Sequence, residues 1–241
     1  MQSTTVMNHR SEFIQGLQVG VSIAIGYFPV AITFGLLAER TGLTLMETVM
    51  MSAIVYAGAA QYMSLSLISA HIGAWEIILT TFIVNIRHFL MSASLNEKVE
   101  NDSIWKKVLY SFGITDETFS VAAVRKETVT TSYMFGLCLM AYGSWVVNSG
   151  IGHVVGGNLP LFLQDSMGIA LYALFIGLLV PSLKKHRKIV VLAALSAVIN
   201  SFFVFTGLLS TGWSIVAATL CSSLAVEWFL KKYKQRVRKD D

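Results

Sequence analysis

Two pairs of ionisable residues stand where a soluble protein would not place them. Arg87-His88 lies inside the apolar run from Ile77 to Leu95, and Asp116-Glu117 interrupts the apolar run from Val108 to Val124. Arg87 is about ten residues from either end of its run. At a rise of about 1.5 Å per residue, that is near the middle of a bilayer. A charge at that depth costs about 2.5–3.5 kcal/mol on insertion scales, so such residues usually line a pathway or meet a partner. Two adjacent carboxylates are costlier still, and at least one is expected to be protonated or paired with a cation. Arg87 is the one arginine or lysine embedded within an apolar run and is the cation on offer. The alternative is that Arg87 snorkels or serves only to hold helices together, and that Asp116 and Glu117 mark a water-exposed turn between two half-length helices.

The elements that must carry these groups are helices in lipid. Of the 241 residues 54% are hydrophobic and 13% are charged, against roughly 25% charged in a soluble domain. The apolar runs are solid rather than alternating, which speaks against a transmembrane barrel. The expected fold is all-α: one polytopic membrane helix bundle of seven or eight segments, with broken or re-entrant helices. It would lie between a polar tail at 1–12 and a basic tail at 231–241. The polar start precedes a span too long for a signal-peptide core, so no cleavage is expected. Cys138 and Cys221 both fall in apolar runs and suggest no disulfide framework.

In chain order, Phe13–Ala38 is the first span. Pro29 cannot donate to the Ile25 carbonyl, and Gly26 loosens the same turn, so a kink or break is expected there. A second span lies within Thr48–Trp75. Its centre, Tyr56-Ala57-Gly58-Ala59-Ala60-Gln61-Tyr62, suits close helix packing with Gln61 bonded across the contact, or a broken helix that exposes backbone. On a helical wheel the third span shows two polar stripes. Thr81, Asn85, His88 and Ser92 form one, and Thr80, Arg87 and Ser94 form the other on nearly the opposite side. A regular helix would then not aim Arg87 and His88 into one cavity: either one stripe lines a pathway and the other meets a neighbouring helix, or the helix is broken here. His88 also reads as a plain hydrogen-bonding residue. Asn96–Lys107 is a loop of mixed charge, and Val108–Val124 a fourth segment.

A fifth span near Tyr133–Ile151 ends in Trp145, Asn148 and His153, read as interfacial anchors. Ser166–Leu183 is a sixth span. It ends at Lys184-Lys185-His186-Arg187-Lys188, a cytoplasmic flag repeated by the basic tail. Ile189–Val226 holds two spans that turn near Gly207–Gly212, with Asn200 the polar residue of the first. Eight crossings put both termini inside but leave Lys98, Lys106 and Lys107 outside, against the positive-inside rule. A re-entrant Val108–Val124 gives seven. Glycine-rich patches at Phe34-Gly35 and Ile151-Gly152 hint at an internal repeat.

The chain has no P-loop, no H-E-x-x-H, no cysteine–histidine metal spacing and no G-x-S-x-G elbow. No cofactor, metal or nucleic acid is called for, and function must lie in the membrane segments. A lipid enzyme using His88 and Asp116 as acid and base lacks a nucleophile. A passive channel or a scaffold for another transporter is harder to separate from a carrier.

The stretches "GYFPVAITFGLLAERTGL", "MSAIVYAGAAQYMSL", "NIRHFLMSASL" and "GITDETF" occur in this order across the first half. There the chain resembles the AzlC (YgaZ-like) family of branched-chain amino acid exporters. The resemblance implies a secondary transporter subunit, not an enzyme, in a bacterial inner membrane with its C-terminus cytoplasmic. It would export Leu, Ile and Val, with Met as an analogue, and be paired with a small hydrophobic AzlD-type subunit. Pro29, Gly58, Gln61, Asn85, Arg87, His88, Asp116 and Glu117 are the candidates for a substrate or proton pathway. A zwitterion needs a cation for its carboxylate and an anion or carbonyls for its ammonium group, which Arg87 and the 116–117 pair could supply. A buried carboxylate could also carry the driving proton.

Overall fold

The computed structural model describes residues 9–156, 158–160 and 187–240, with isolated positions between 162 and 184. The expected sixth span, Ser166–Leu183, therefore lies largely outside the described residues. The described chain is helical: α1 (His9–Arg40), α2 (Leu45–Ile54), α3 (Gly58–Ser69), α4 (Ala74–Asn96), α5 (Ile104–Ser111), α6 (Asp116–Val124), α7 (Thr131–Gly156), α8 (Arg187–Thr206) and α9 (Thr211–Asp240). Five of these, α1, α4, α7, α8 and α9, are long and apolar enough to cross a membrane. The chain divides into two compact units: residues 1–66 with 84–170, and residues 67–83 with 171–241.

The first unit is built on α1 and α7. A Cβ on Gly16 would strike the Tyr133 carbonyl oxygen, and one on Gly136 would strike that of Phe13. Further along, Gly35 meets Ser149 O and Gly152 meets Ile32 O. Glycine at these points lets the two backbones touch. The register rises together in both helices, so α1 and α7 run parallel. The Ser144 hydroxyl confirms the register by donating to Ala24 O at 2.8 Å. The two glycine patches noticed in the sequence, Gly35 and Gly152, are thus partners in one seam.

The second span is two half-helices. α2 has 10 residues and α3 has 12, about 15 and 18 Å long, each near half of a bilayer's hydrocarbon core of about 30 Å. α2 enters beside the C-terminal end of α7 and descends it. Thr48 meets His153 Nδ1 at 3.0 Å, Ser52 donates to Ser149 at 2.8 Å, and the Tyr142 hydroxyl donates to Ala53 O at 3.0 Å. The chain turns at Tyr56, whose φ is +42°. α3 then climbs back toward the C-terminal end of α1, with Tyr62 donating to Val30 O at 2.6 Å. This is a re-entrant hairpin, not a crossing.

The segment at 108–124 is a second hairpin, entering from the other end. The loops before α5 and after α6 are pinned together. Glu100 N donates to Val129 O at 3.0 Å and Val129 N to Lys98 O at 3.3 Å. Lys98 Nζ reaches Ala123 O at 2.5 Å, and Thr131 N reaches Glu100 Oε1 at 2.7 Å. Arg125 ties this loop to the start of α1 through Glu12 at 2.9 Å and lies 4.1 Å over the Tyr133 ring. The hairpin therefore begins and ends beside the N-terminal ends of α1 and α7. The end of α4 joins the same loop, because Lys107 Nζ donates to Asn96 Oδ1 at 3.0 Å. The eight expected segments therefore include two hairpins that do not cross.

Other expectations need correction. α1 stays helical through Pro29, so no break forms; proline costs one backbone bond, and the packed seam on the other face holds the helix. α4 is likewise unbroken. Trp145 is not an interfacial anchor: α7 extends to Gly156 and the indole is buried mid-helix.

In the second unit α8 and α9 run antiparallel. Lys188 pairs with Glu227 at 2.6 Å and Ser196 with Ser222 at 2.5 Å. The turn uses Gly207 at φ +62°, within the Gly207–Gly212 stretch expected. The first turn of α4 contributes Glu76, which accepts from Trp213 N at 3.1 Å and from the Ser210 hydroxyl, supplying a carboxylate to the start of α9.

Candidate functional site at the hairpin tips

The tips of the two hairpins meet beside the middles of α1 and α7. Tyr56, at the turn of α2–α3, lies 6.0 Å from Phe112 at the turn of α5–α6, and both rings pack on Tyr142 of α7. Each turn is held by its own chemistry. In the first, the buried side chain of Gln61 accepts from Ala57 N at 3.2 Å and from the Trp145 indole at 3.0 Å, and donates to Ser52 at 3.0 Å. Gly58 leaves room for that indole; a Cβ there would sit 2.8 Å from it. In the second, Thr115 and Thr118 cap α6 reciprocally, each side chain accepting from the other's backbone N–H. The Thr118 hydroxyl also donates to Gly113 O at 3.0 Å.

The cap exposes Asp116 and Glu117 in the first turn of α6, where the helix dipole favours negative charge. Arg87 Nη1 stands 2.7 Å from Asp116 Oδ2. The Tyr27 hydroxyl, on α1, donates to Glu117 Oε2 at 2.5 Å and lies 2.7 Å from Thr115 Oγ1. His88 is half-buried and within electrostatic reach of both Arg87 and Glu117. Three buried polar atoms around these groups have no well-formed hydrogen bond: Tyr56 Oη, Arg87 Nε and Asn85 Oδ1. Among the described residues no group of three His, Cys, Asp or Glu side chains could hold a metal.

The AzlC protein family profile matches residues 22–159, a stretch that includes both hairpins and every residue named at their tips. The chain belongs to the AzlC family. It is 31% identical over 221 residues to the inner membrane protein YgaZ of Escherichia coli, covering 88% of each chain. A membrane protein of Archaeoglobus fulgidus is 31% identical over 219 residues, covering 90% of this chain and 94% of its own. The branched-chain amino acid transport protein AzlC of Bacillus subtilis is 26% identical over 192 residues, with 76% and 74% covered. No solved structure matches the chain.

In this AzlC-family chain the structure gathers Arg87, His88, Asp116 and Glu117 about one helix start, with Asn85 one turn back on α4. Gly58 and Gln61 shape the facing tip. Pro29 is not among them: it is exposed, two residues and so about 200° around α1 from Tyr27. Arg87 and His88 diverge by about 100° on α4. Asp116 and Glu117 are also consecutive on a helix, so the two adjacent pairs can meet residue to residue. Tyr27 lies in the same family-like stretch as Pro29 and joins the site in its place, and Tyr56, Thr115 and Tyr142 join it without any charge to mark them in the sequence. A signal for Tyr27 was present, since Ile23, Tyr27, Val30, Ala31 and Phe34 are all buried and follow one helical stripe.

Proposed function

We propose that this chain is a secondary transporter subunit that exports leucine, isoleucine and valine, with methionine as an analogue, driven by the proton gradient. The name of the Bacillus subtilis relative supports the substrate class. The observation that carries the reading is the ion pair between Arg87 of α4 and Asp116, with Glu117 beside it, at the tip of one of two half-length hairpins that enter from opposite ends of parallel helices. Transporters place ion and substrate sites at such discontinuous helices near mid-membrane. Arg87, with Asp116 as its counter-ion, would meet the substrate carboxylate, Glu117 the ammonium group, and His88 and Asn85 would line the same path. Gly58 and Gln61 would act through the shape of the facing tip, and Pro29 through the freed turn of α1.

The hairpins also relieve the charge conflict. Lys98, Lys106, Lys107, Arg125 and Lys126 all sit at the ends of the second hairpin, beside the N-terminal end of α1. Lys184–Lys188 and the basic tail carry the same sign, as the positive-inside rule asks of cytoplasmic segments. We place that side, and the C-terminus, in the cytoplasm of a bacterial inner membrane. A small hydrophobic AzlD-type subunit would complete the carrier.

Sealed vesicles containing the full chain, with and without the small subunit, test the reading. Leucine should move uphill when a proton gradient is imposed. Movement only down its own gradient would make the protein a passive channel, and none with either composition would contradict transport.

A further inference from the structure

Asp116 and Glu117 are neighbours in sequence but not in bonding. Asp116 has Arg87 at 2.7 Å. Glu117 makes no ion pair among the described residues, and its hydrogen-bond partner is the neutral phenol of Tyr27 at 2.5 Å. The groups around Glu117 are Tyr27 from α1, Tyr56 from the first hairpin, His88 from α4, and Thr115 and Asp116 from its own hairpin, with Arg87 of α4 paired to Asp116. By formal charge these groups sum to one positive, from Arg87, and two negative, from Asp116 and Glu117. An unbalanced charge deep in a membrane is costly, and one added cation of any kind removes the imbalance.

A second observation points into the same place. Tyr56 is 3% exposed, and its hydroxyl lies beside that of Tyr27 without a well-formed hydrogen bond. Arg87 Nε is buried with no acceptor, although Nη1 is engaged. A buried polar group without a partner costs about 1–3 kcal/mol, which a ligand that satisfies it recovers. A zwitterion brings both an ammonium group for Glu117 and the Tyr56 oxygen, and a carboxylate for Arg87 Nε.

Resting on the exporter reading, we propose that Glu117 is a single exchange site at which a proton and the α-ammonium group of the substrate compete, while Asp116 remains the counter-ion of Arg87. On the cytoplasmic side the arriving ammonium group displaces the Glu117 proton into water. On the far side a proton from water displaces the ammonium group. One proton enters for each zwitterion that leaves, and competition at one carboxylate couples the two flows without a second ion site.

The test is leucine binding to the purified full chain from acid to neutral pH, in weak buffer with a pH dye, beside leucine export from vesicles. The wild type should release protons on binding, and its apparent Kd should rise about tenfold per pH unit on the acid side. Asp116→Asn should keep that slope, and Glu117→Gln should lose both slope and release. Glu117→Asp, a smaller change in case glutamine does not fold, should keep the slope with a displaced midpoint. A slope that survives in Glu117→Gln, an undisplaced midpoint in Glu117→Asp, or pH-independent binding by a wild type that exports leucine would overturn this inference alone. A wild type that neither binds nor moves any branched-chain amino acid would overturn the exporter reading and this inference with it.

Discussion

Tyr56 and Phe112 belong to hairpins that start at opposite ends of α7, yet their rings are 6.0 Å apart. That meeting fixes the depth of everything around it. Each tip ends a half-length hairpin, so the contact lies beside the middles of α1 and α7, and Asp116 and Glu117 follow the Phe112 tip within five residues.

Tyr56 is buried with its hydroxyl beside that of Tyr27 but without a well-formed hydrogen bond, and its backbone is in the left-handed region, both unfavourable for stability. Tyr56→Phe keeps the ring contacts and removes the unsatisfied group. Thermal unfolding in detergent should show no loss of stability, or a gain of about 1 kcal/mol, while leucine export falls. A clear loss of stability would show that the hydroxyl is already well bonded.

The α1–α7 seam separates two kinds of glycine. In Gly152→Ala the new methyl meets the Ile32 backbone, which cannot yield as a side chain would; a loss of roughly 1–3 kcal/mol is expected from overpacking. In Gly143→Ala the methyl meets nothing within 4 Å, and helix propensity alone should stabilise by about 0.5–1 kcal/mol. Unfolding midpoints that move in the same direction for both variants would contradict the seam.

Gln61 closes a buried network rather than facing open space. Gln61→Leu would strand the Trp145 indole N–H and the Ala57 N–H, at about 1–3 kcal/mol each. Loss of folded yield and of indole protection in hydrogen exchange is the expected result. A variant as stable as the wild type would refute the closed network.

Arg87 and Asp116 should show coupling in a double-mutant cycle. Their side chains are 37% and 28% exposed, so solvent screening limits the coupling to about 1 kcal/mol. Stability measured for Arg87→Gln, Asp116→Asn and the double variant should show the double less destabilised than the sum. Strict additivity would mean that the pair contributes nothing to folding.

Much of this was legible in the residues. Charge in apolar runs marked Arg87, Asp116 and Glu117, because insertion cost makes such residues conspicuous whatever the fold. The pairing partner followed, since Arg87 is the one cation embedded in an apolar run. The hairpins were harder. A run such as Thr48–Trp75 is uncharged along its length, and hydropathy cannot tell a crossing from a helix that turns back halfway. The turn at Tyr56 uses a bulky residue at positive φ where glycine or asparagine would be the usual signal. The site role of Tyr27 was hidden because Pro29, two residues on, is the more conspicuous residue but lies on the exposed face. Trp145 was misplaced because an aromatic late in a span reads as an interfacial anchor, until the length of α7 shows that it sits mid-helix.

The meeting of the two tips requires that the hairpin ends emerge on opposite sides, and sidedness of labelling measures that directly. Single cysteines at Lys98 and Lys126 bracket the second hairpin, and single cysteines at Leu43 and His71 bracket the first, in a chain with Cys138 and Cys221 replaced by serine. A membrane-impermeant maleimide added to oriented vesicles should label 98 and 126 from one side and 43 and 71 from the other. Labelling of 98 and 126 from opposite sides would make 108–124 a true crossing, and would remove Asp116 and Glu117 from the meeting of two tips.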